Sequence, residues 1–200
     1  MTKRLLVVAV FVLSLVLLIG CEVDPAEEPN DEPEYSMGQV DQPLPVDGSN
    51  EGYPMEPLEV AGSLIYLAHD DDYVYVYVET EAEGWLAVGF NESGNGMDGA
   101  NMVLGYYDDG NPAYRDDVGA GNTHSEAEVT AVNEFYFSRT EGDAVMEFSY
   151  PMAFPDEEDY NLEQVLPGES YSLIVGVHES SDDITTRHTN FGMSVFQIEP

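Results

Sequence analysis

Eight short runs of residues that favour β-strands occupy most of the chain after residue 57, and turn residues separate them. The runs are rich in valine, tyrosine, phenylalanine and isoleucine, and several are apolar at both odd and even positions, as in central strands covered on both faces. Apart from a turn or two near 162–166, no window has a helical apolar stripe. We therefore predict an all-β fold, an antiparallel immunoglobulin-like β-sandwich. The predicted strands are 58–69, 73–80, 84–90, 102–107, 128–138, 144–150, 170–178 and 188–198.

The amino terminus has the composition of an export signal. Lys3 and Arg4 precede an almost uninterrupted apolar run over residues 5–19, which is short for a membrane span of about 20 residues. The run ends in Leu-Ile-Gly-Cys, which resembles the lipobox of bacterial lipoproteins. We expect residues 1–20 to be a lipoprotein signal peptide and Cys21 to be lipidated, so that the chain is extracytoplasmic and anchored at a cell or outer membrane. An uncleaved anchor helix is the alternative.

The next segment has a different composition. Residues 21–56 are rich in Asp, Glu, Pro, Gly and Asn, with too few apolar side chains to offset the entropy of ordering a chain. We expect an acidic disordered linker there, extended by its like charges, and a folded domain over residues 57–200. Cys21 is the only cysteine, so a disulfide within one chain is excluded.

The charge of the chain limits its partners. Forty acidic residues stand against five basic ones, for a net charge of −35. Such a surface repels the phosphates of nucleic acids, which are excluded as partners, and also repels anionic lipid head groups. Two origins of the acidity remain open: a salt-rich habitat that screens the charges, or carboxylate clusters, such as residues 69–73 and 154–160, that collect divalent cations.

Two blocks of sequence resemble the DOMON domain family. In the first, Gly84-Trp85 opens an apolar strand, and a glycine-rich turn then leads to Met97-x-Gly99-Ala100 and a second apolar strand. In the second, over residues 172–198, an apolar strand and a loop precede His188 and a nearby glycine. The resemblance covers roughly residues 60 to 198 and implies a β-sandwich.

The cytochrome members of this family ligate haem b through a Met and a His at these places. The resemblance therefore implies haem b as the cofactor, with Met97 and His188 as the axial metal ligands and Trp85 among the cofactor-binding residues. A thioether favours ferrous iron, and imidazole supplies the stronger bond. Two protein ligands leave no open position on the iron. This arrangement favours single-electron transfer, with a protein redox partner or a small reductant, over oxygen chemistry.

One departure from the family pattern directs attention to Arg187. Many members carry an arginine before a proline in the strand near residue 150, where this chain has Tyr150-Pro151. A tyrosine cannot pair with a haem propionate as a guanidinium can. Arg187 adjoins the expected ligand His188 and is one of three arginines after the signal peptide, so it becomes the candidate for that pairing.

Strand directions give an expectation about geometry. If the predicted strands alternate simply, Met97 and His188 lie on loops at the same end of the sandwich. The alternatives are a Met97 that only covers an aromatic ring through its sulfur, and a His188 that is merely solvated. Competing or packing residues are His124 (a second-choice ligand or metal site), His178 with Glu179 and Asp182 (a cation site), His69 (a solvated turn), Met102 (core) and Met193 (packing).

Other functions also fit the sequence. Haem-free relatives in the family are thought to recognise sugars, and Trp85 and the tyrosines could then stack on sugar rings. A scaffold lipoprotein without a small ligand is the third reading. The chain carries no nucleophile motif, no metal-binding His-x-Glu helix and no phosphate-binding glycine loop, so we expect no enzyme.

Overall fold

The structure, a computed structural model, describes residues 35–92, 96–140, 142–152 and 170–198. Within these ranges the chain forms strands and turns but no α-helix, and no helix there has the length and apolar character needed to span a bilayer. The strands are β1 Tyr35–Gln39, β2 Leu58–Val60, β3 Ser63–His69, β4 Tyr73–Glu81, β5 Leu86–Glu92, β6 Asn101–Asp108, β7 Asn111–Ala120, β8 Thr123–Glu126, β9 Glu134–Thr140, β10 Asp143–Pro151, β11 Ser170–Val177 and β12 Asn190–Ile198.

The strands form two sheets that share β1. The first sheet has the order β8-β7-β6-β5-β11-β12-β1, and the second has the order β1-β3-β4-β10-β9, with β2 also paired to β3. All pairings are antiparallel except those of β1, which runs parallel to both β12 and β3. The prediction of an all-β sandwich is confirmed, and the two parallel pairings at β1 are a feature that the sequence did not indicate.

The hydrophobic core lies between the sheets and follows the alternation of side chains along each strand. Val76 and Val78 of β4 point into it from the second sheet, and Val88, Leu173 and Phe196 point into it from the first sheet. Phe196 meets Phe90 edge-on, with ring centroids 5.8 Å apart. The core is therefore built from both sheets, as a sandwich requires.

The predicted disordered linker is wrong from Tyr35 onward. Residues Tyr35–Gln39 form β1, the strand that joins the two sheets, and Met37 at its centre is wholly buried. Residues 21–34 lie outside the described part of the chain, as does the signal peptide. The folded domain thus begins more than twenty residues before the predicted start at residue 57.

The segment between β1 and β2 covers the outer face of the second sheet. Glu147 of β10 is wholly buried beneath it and accepts hydrogen bonds from the backbone N–H groups of Asp47 (2.8 Å) and Gly48 (2.6 Å). The ring of Tyr53 packs against Tyr66 and Tyr77 on neighbouring strands, with centroids 6.1 and 6.2 Å away. A buried carboxylate and an aromatic cluster therefore order a segment whose composition is typical of disorder.

The hairpin of β7 and β8 was not predicted, and the strand predicted over 128–138 begins only at Glu134. The sequence of β7 is polar because much of the strand is solvent-accessible, so it lacks the apolar signal of a central strand. The predicted helical turn near 162–166 and the acidic cluster at 154–160 lie outside the described residues.

Candidate functional site

A cavity of about 1150 Å³ lies on the outer face of the first sheet. Along β5, Leu86 and Val88 point into the core, so Trp85 and Ala87 point to the opposite face, where they form a second apolar cluster. Ile174 of β11 lines the cavity with them. This volume is slightly above the usual range for ligand pockets, about 300–1,000 Å³, so the cavity has room for a large ligand.

The turn that carries Met97 forms one wall of this cavity. The side-chain amide of the buried Asn91 donates hydrogen bonds to the carbonyl oxygens of Gly96 (2.8 Å) and Asp98 (2.9 Å), which flank Met97. The backbone N–H of Ala100 donates to the carbonyl oxygen of Met97 at 3.1 Å. Asp98 in turn accepts a bond from the N–H of Gly121 at 2.7 Å. Met97 is therefore on a turn fixed from both sides.

The loop between β11 and β12 forms the opposite wall and carries His188. Trp85 fixes it at several points: its backbone N–H donates to the carbonyl of Ser181 and its carbonyl accepts from the N–H of His178, both at 2.9 Å. Its indole N–H lies 3.5 Å from the hydroxyl of Thr186. This loop passes over β11, since a Cβ at Gly176 would lie 3.8 Å from the Cβ of His188.

The surroundings of His188 favour its neutral form. Partial burial lowers the pKa of this imidazole, and electrostatic interactions with Arg187 and His124 lower it further. Neutral imidazole is the form that binds metal ions. The ring also stacks on Phe191, with centroids 4.9 Å apart and an angle of 24° between the planes.

Met97 and His188 line the same cavity but approach it from opposite ends of β5, so the prediction that they share one end of the sandwich is wrong. β11 runs antiparallel to β5, with Val177 opposite Leu86, and the loop after β11 therefore lies where β5 begins. Simple alternation fails because the chain leaves this sheet after β8 and returns to it only at β11.

The two candidate ligands are offset along the strand axis. The Cβ of His188 lies over Gly176, which pairs with Ala87 of β5. The carbonyl of Met97 contacts Gly119 and Ala100, at the level of Asn91 on β5. Ala87 and Asn91 are four residues apart, about 13 Å at about 3.3 Å per residue. The side chains thus point into the cavity from its two ends.

A charged group that the sequence did not single out forms part of the wall beside Met97. Arg115 of β7 donates through Nε and Nη2 to the two carboxylate oxygens of Asp117, each at 2.5 Å. His124 of β8 bonds the same carboxylate through Nδ1. Arg115 and His124 both line the cavity, and Asp117 beneath them is wholly buried. The signal for Arg115 was the scarcity of basic residues in so acidic a chain.

The other residues that the sequence singled out near the cavity differ in their exposure. Arg187 lines the cavity next to His188, and Met102 lies in its buried floor, as expected of a core residue. Met193 also lines the cavity but is 45% exposed. Trp85 is only 3% exposed, so it has no open ring face for stacking on a sugar.

Two histidines and Tyr150 lie elsewhere. His69, predicted to be a solvated turn, is buried at the end of β3. His178 accepts backbone N–H bonds from Ser180 and Ser181 through Nδ1 and so closes a turn. Tyr150 points into the sandwich interior. Within the described ranges, no cluster of three or more His, Cys, Asp or Glu side chains has an arrangement that could hold a metal ion.

Comparison with known proteins gives one family and a common fold. Residues 65–177 match the family described as DOMON domain. A carbohydrate-binding module of family 9 from Caldicellulosiruptor kristjanssonii, in complex with cellotriose, has a similar structure: TM-score 0.52, 9% identity, covering 82% of this chain and 93% of that one. This likeness shows the fold. Among curated proteins, no significant match is found.

Two cytochrome domains are also similar. The cytochrome domain of Myriococcum thermophilum cellobiose dehydrogenase has a TM-score of 0.48 and 12% identity, covering 76% of this chain and 80% of that one. The cytochrome b domain of pyranose dehydrogenase from Coprinopsis cinerea has a TM-score of 0.46 and 13% identity, covering 63% and 68%.

Proposed function

We propose a haem-dependent electron-transfer function for this chain, which belongs to the DOMON domain family. One haem b would lie in the cavity on the first sheet, and Met97 and His188 would hold its iron. The observation that carries the proposal is that a thioether and a neutral imidazole, distant in sequence, line one cavity large enough for such a ligand.

The residues of the cavity fit this cofactor chemically. Apolar side chains from Met102, Ile174 and Ile184 line it, which suits the faces of a porphyrin. The thioether and imidazole are the ligand types found in cytochromes, where the thioether raises the reduction potential. Arg115 and Arg187 lie at the cavity wall as partners for propionates. Arginine is scarce in this chain, so the presence of two arginines at one cavity supports this role.

The chain would contribute ligands, orientation and exclusion of water. Asn91 fixes the turn of Met97, and the hydrogen bonds of Trp85 fix the loop of His188, so both ligands are positioned before the cofactor binds. Haem b, when bound, supplies a reversible one-electron couple at iron. Because Met97 and His188 would both hold the iron, we assign the chain the role of an electron carrier with a redox partner protein or a small reductant.

The experiment is an absorption spectrum of the full chain after reconstitution with haem b and removal of excess haem. We expect a Soret band with sharp α and β bands on reduction, and a high-spin spectrum for Met97→Ala. Met193→Ala is the matched control, because Met193 lines the same cavity but is not a proposed ligand. A colourless wild-type preparation, or identical spectra for Met97→Ala and wild type, would show that the proposal is wrong.

We further propose that the chain is an extracytoplasmic lipoprotein held at a membrane by Cys21. The support is the sequence Leu-Ile-Gly-Cys after a short apolar run, with the only cysteine of the chain at the modified position. The expressed protein should partition into the detergent phase of Triton X-114, and Cys21→Ser should move it to the aqueous phase. Equal partitioning of the two proteins would contradict the anchor.

Sugar binding is the second candidate, and polar side chains at the cavity favour it. Asn122, Thr123 and Ser125 line the cavity on one side, and Thr185 and Thr186 line it on the other. The exposed aromatic ring there belongs to Phe191, whereas Trp85 is buried. Calorimetric titration of the haem-free protein with glucose and cellotriose tests this function. Measurable binding, together with a failure to retain haem, would assign the cavity to sugars.

A further inference from the structure

Among the described residues, basic side chains are concentrated at the cavity. The described residues contain three arginines, Arg115, Arg139 and Arg187, and the first and last of these line it. Two of the four histidines, His124 and His188, line it as well. The whole chain has 40 acidic residues, so cationic groups are rare and this grouping is unusual. These guanidinium and imidazole groups give the cavity hydrogen-bond donors for an anionic ligand, beside the carboxylates of Asp98 and Glu126.

The third arginine shows what a structural arginine looks like in this fold. Arg139 of β9 donates from both Nη atoms to the carboxylate of Asp182. Its guanidinium also lies over the rings of Tyr107 and Phe137, 4.7 and 5.3 Å from their centroids. Its guanidinium is paired with Asp182 and does not line the cavity, so Arg139 serves as a control.

Arg115 is held differently. A guanidinium has five N–H groups, and Asp117 takes two of them, one from Nε and one from Nη2. The other three are not bonded within the described residues, and the side chain is 23% exposed where it lines the cavity. Asp117 therefore fixes the plane of the guanidinium and leaves one edge of it available. Such an edge matches a carboxylate in a two-bond arrangement.

The buried carboxylate beneath Arg115 stays charged and keeps this arrangement rigid. Burial alone raises the pKa of Asp117, but the hydrogen bonds from His124 and Arg115 hold its pKa below the ordinary value. Two acidic residues also line the cavity, Asp98 and Glu126. Asp98 bonds the backbone N–H of Gly121 and is thereby turned to the β7–β8 turn.

We infer that the cavity binds its ligand through a carboxylate of that ligand, and that Arg115, positioned by Asp117 and His124, is the side chain that receives it. This inference rests on the cavity being the binding site, as in the proposed function, and defines the ligand class: an apolar or ring-shaped body with a carboxylate at its edge. Haem b, through a propionate, and an acidic sugar, through its uronate group, share this chemistry.

The test compares haem b with its dimethyl ester, in which both propionates are blocked. Affinities for both are measured by absorbance titration of the full chain as wild type, Arg115→Gln, Arg115→Lys and Arg139→Gln. We expect wild type to prefer the free acid by about 10- to 100-fold, as charged hydrogen bonds allow. Arg115→Gln should lose about tenfold or more of that preference, Arg115→Lys should retain part of it, and Arg139→Gln should leave it unchanged.

The ratio of the two affinities separates recognition from folding, because a merely destabilised cavity weakens acid and ester alike. Thermal unfolding of each variant shows which variants are folded. If Arg115→Gln does not fold, Arg115→Lys still tests the two-bond geometry, because lysine keeps a positive charge beside the buried Asp117. Haem binding with an unchanged ratio in the folded Arg115 variants would overturn this inference and leave the proposed function intact.

The two proposals fail in different ways. If wild type binds neither porphyrin, the haem function is wrong, and the same variants are titrated with glucuronate and glucose by calorimetry. A preference for glucuronate that disappears with Arg115 supports carboxylate recognition in a sugar-binding protein. Equal binding of the two sugars, or binding of neither, overturns it.

Discussion

The hydroxyl of Tyr150 lies 3.0 and 2.9 Å from the two carboxylate oxygens of Asp116 in the interior of the sandwich. Tyr150 is in β10 of the second sheet and Asp116 is in β7 of the first, so this contact bridges the two layers. The same hydroxyl lies 2.7 Å from Oδ1 of Asn101. The position at which many family members have an arginine therefore serves the interior in this chain, and not the cavity.

Removal of this hydroxyl should destabilise the fold. Tyr150→Phe leaves the buried carboxylate of Asp116 with one donor fewer, at an expected cost of about 1–2 kcal/mol in the free energy of unfolding. Urea denaturation measures it. Tyr114→Phe is the control, since Tyr114 is 37% exposed and should change stability by less than about 0.5 kcal/mol. Equal stabilities of the two variants would contradict the bridge.

The pH dependence of stability should reveal Asp116. Burial raises its pKa, although bonds from Ala131, Tyr150 and Thr130 oppose this. The folded state then holds the proton more tightly than the unfolded state, so this group contributes stability at low pH that is lost as pH rises through the raised pKa. We expect the stability of Asp116→Asn relative to wild type to improve between pH about 4 and 7.

Asp182 should change stability with pH in the opposite direction to Asp116 and serves as a comparison. Burial alone raises its pKa, but the hydrogen bond with Arg139 holds the pKa below the ordinary value. Its contribution is therefore present above the ordinary carboxyl pKa and lost as pH falls. The deficit of Asp182→Asn relative to wild type should grow as pH rises from about 2 to about 4 and stay level between about 4 and 7. If stability depended on pH in the same way for Asp116→Asn and Asp182→Asn, the opposite pKa shifts of the two carboxyl groups would be wrong.

The segment between β1 and β2 should be sensitive to a methyl group at Gly48. Gly48 has a φ of +85°, and a Cβ there would meet the ring of Tyr136. Gly110 has a similar φ of +81° with open space around it. Gly110→Ala should cost about 1–2 kcal/mol for the backbone conformation alone, and Gly48→Ala about 1–3 kcal/mol more. Hydrogen exchange should show faster exchange of residues 40–57 in Gly48→Ala only.

The turn of Met97 should depend on Asn91. Asn91→Ala removes the two bonds to the carbonyls of Gly96 and Asp98, and we expect a loss of about 1–3 kcal/mol with faster amide exchange over 96–100. Asn111→Ala, which removes one exposed bond of 3.4 Å, is the control. Unchanged exchange over 96–100 in Asn91→Ala would show that the turn is fixed by other contacts.

The strands of the core could be predicted because each carries its own apolar signal. The runs at 73–80 and 170–178 correspond to β4 and β11, whose side chains are buried on both faces. β1 could not be found this way, because its five residues sit in an acidic, proline-rich region and their burial depends on strands distant in sequence. The ordered conformation of residues 40–57 likewise depends on Glu147, which is about a hundred residues away in the sequence.

The sequence indicated some residues of the cavity but not their arrangement. Met97 and His188, from the family pattern, and Arg187, proposed beside His188, all line one cavity. Their approach from opposite ends of β5 depends on the return of the chain to the first sheet at β11, which no local pattern records. Arg115 was missed because its role depends on Asp117 two residues later, on the same strand face.

The early start of the folded domain limits how far it can travel from a bilayer. If Cys21 carries acyl chains, only 13 residues separate it from β1, and a fully extended chain of that length reaches about 50 Å at most. The longer disordered linker predicted from composition would have allowed more than twice that distance. With such an anchor, the amino-terminal end of β1 would stay within about 50 Å of the lipid surface, and a partner would have to reach the domain there.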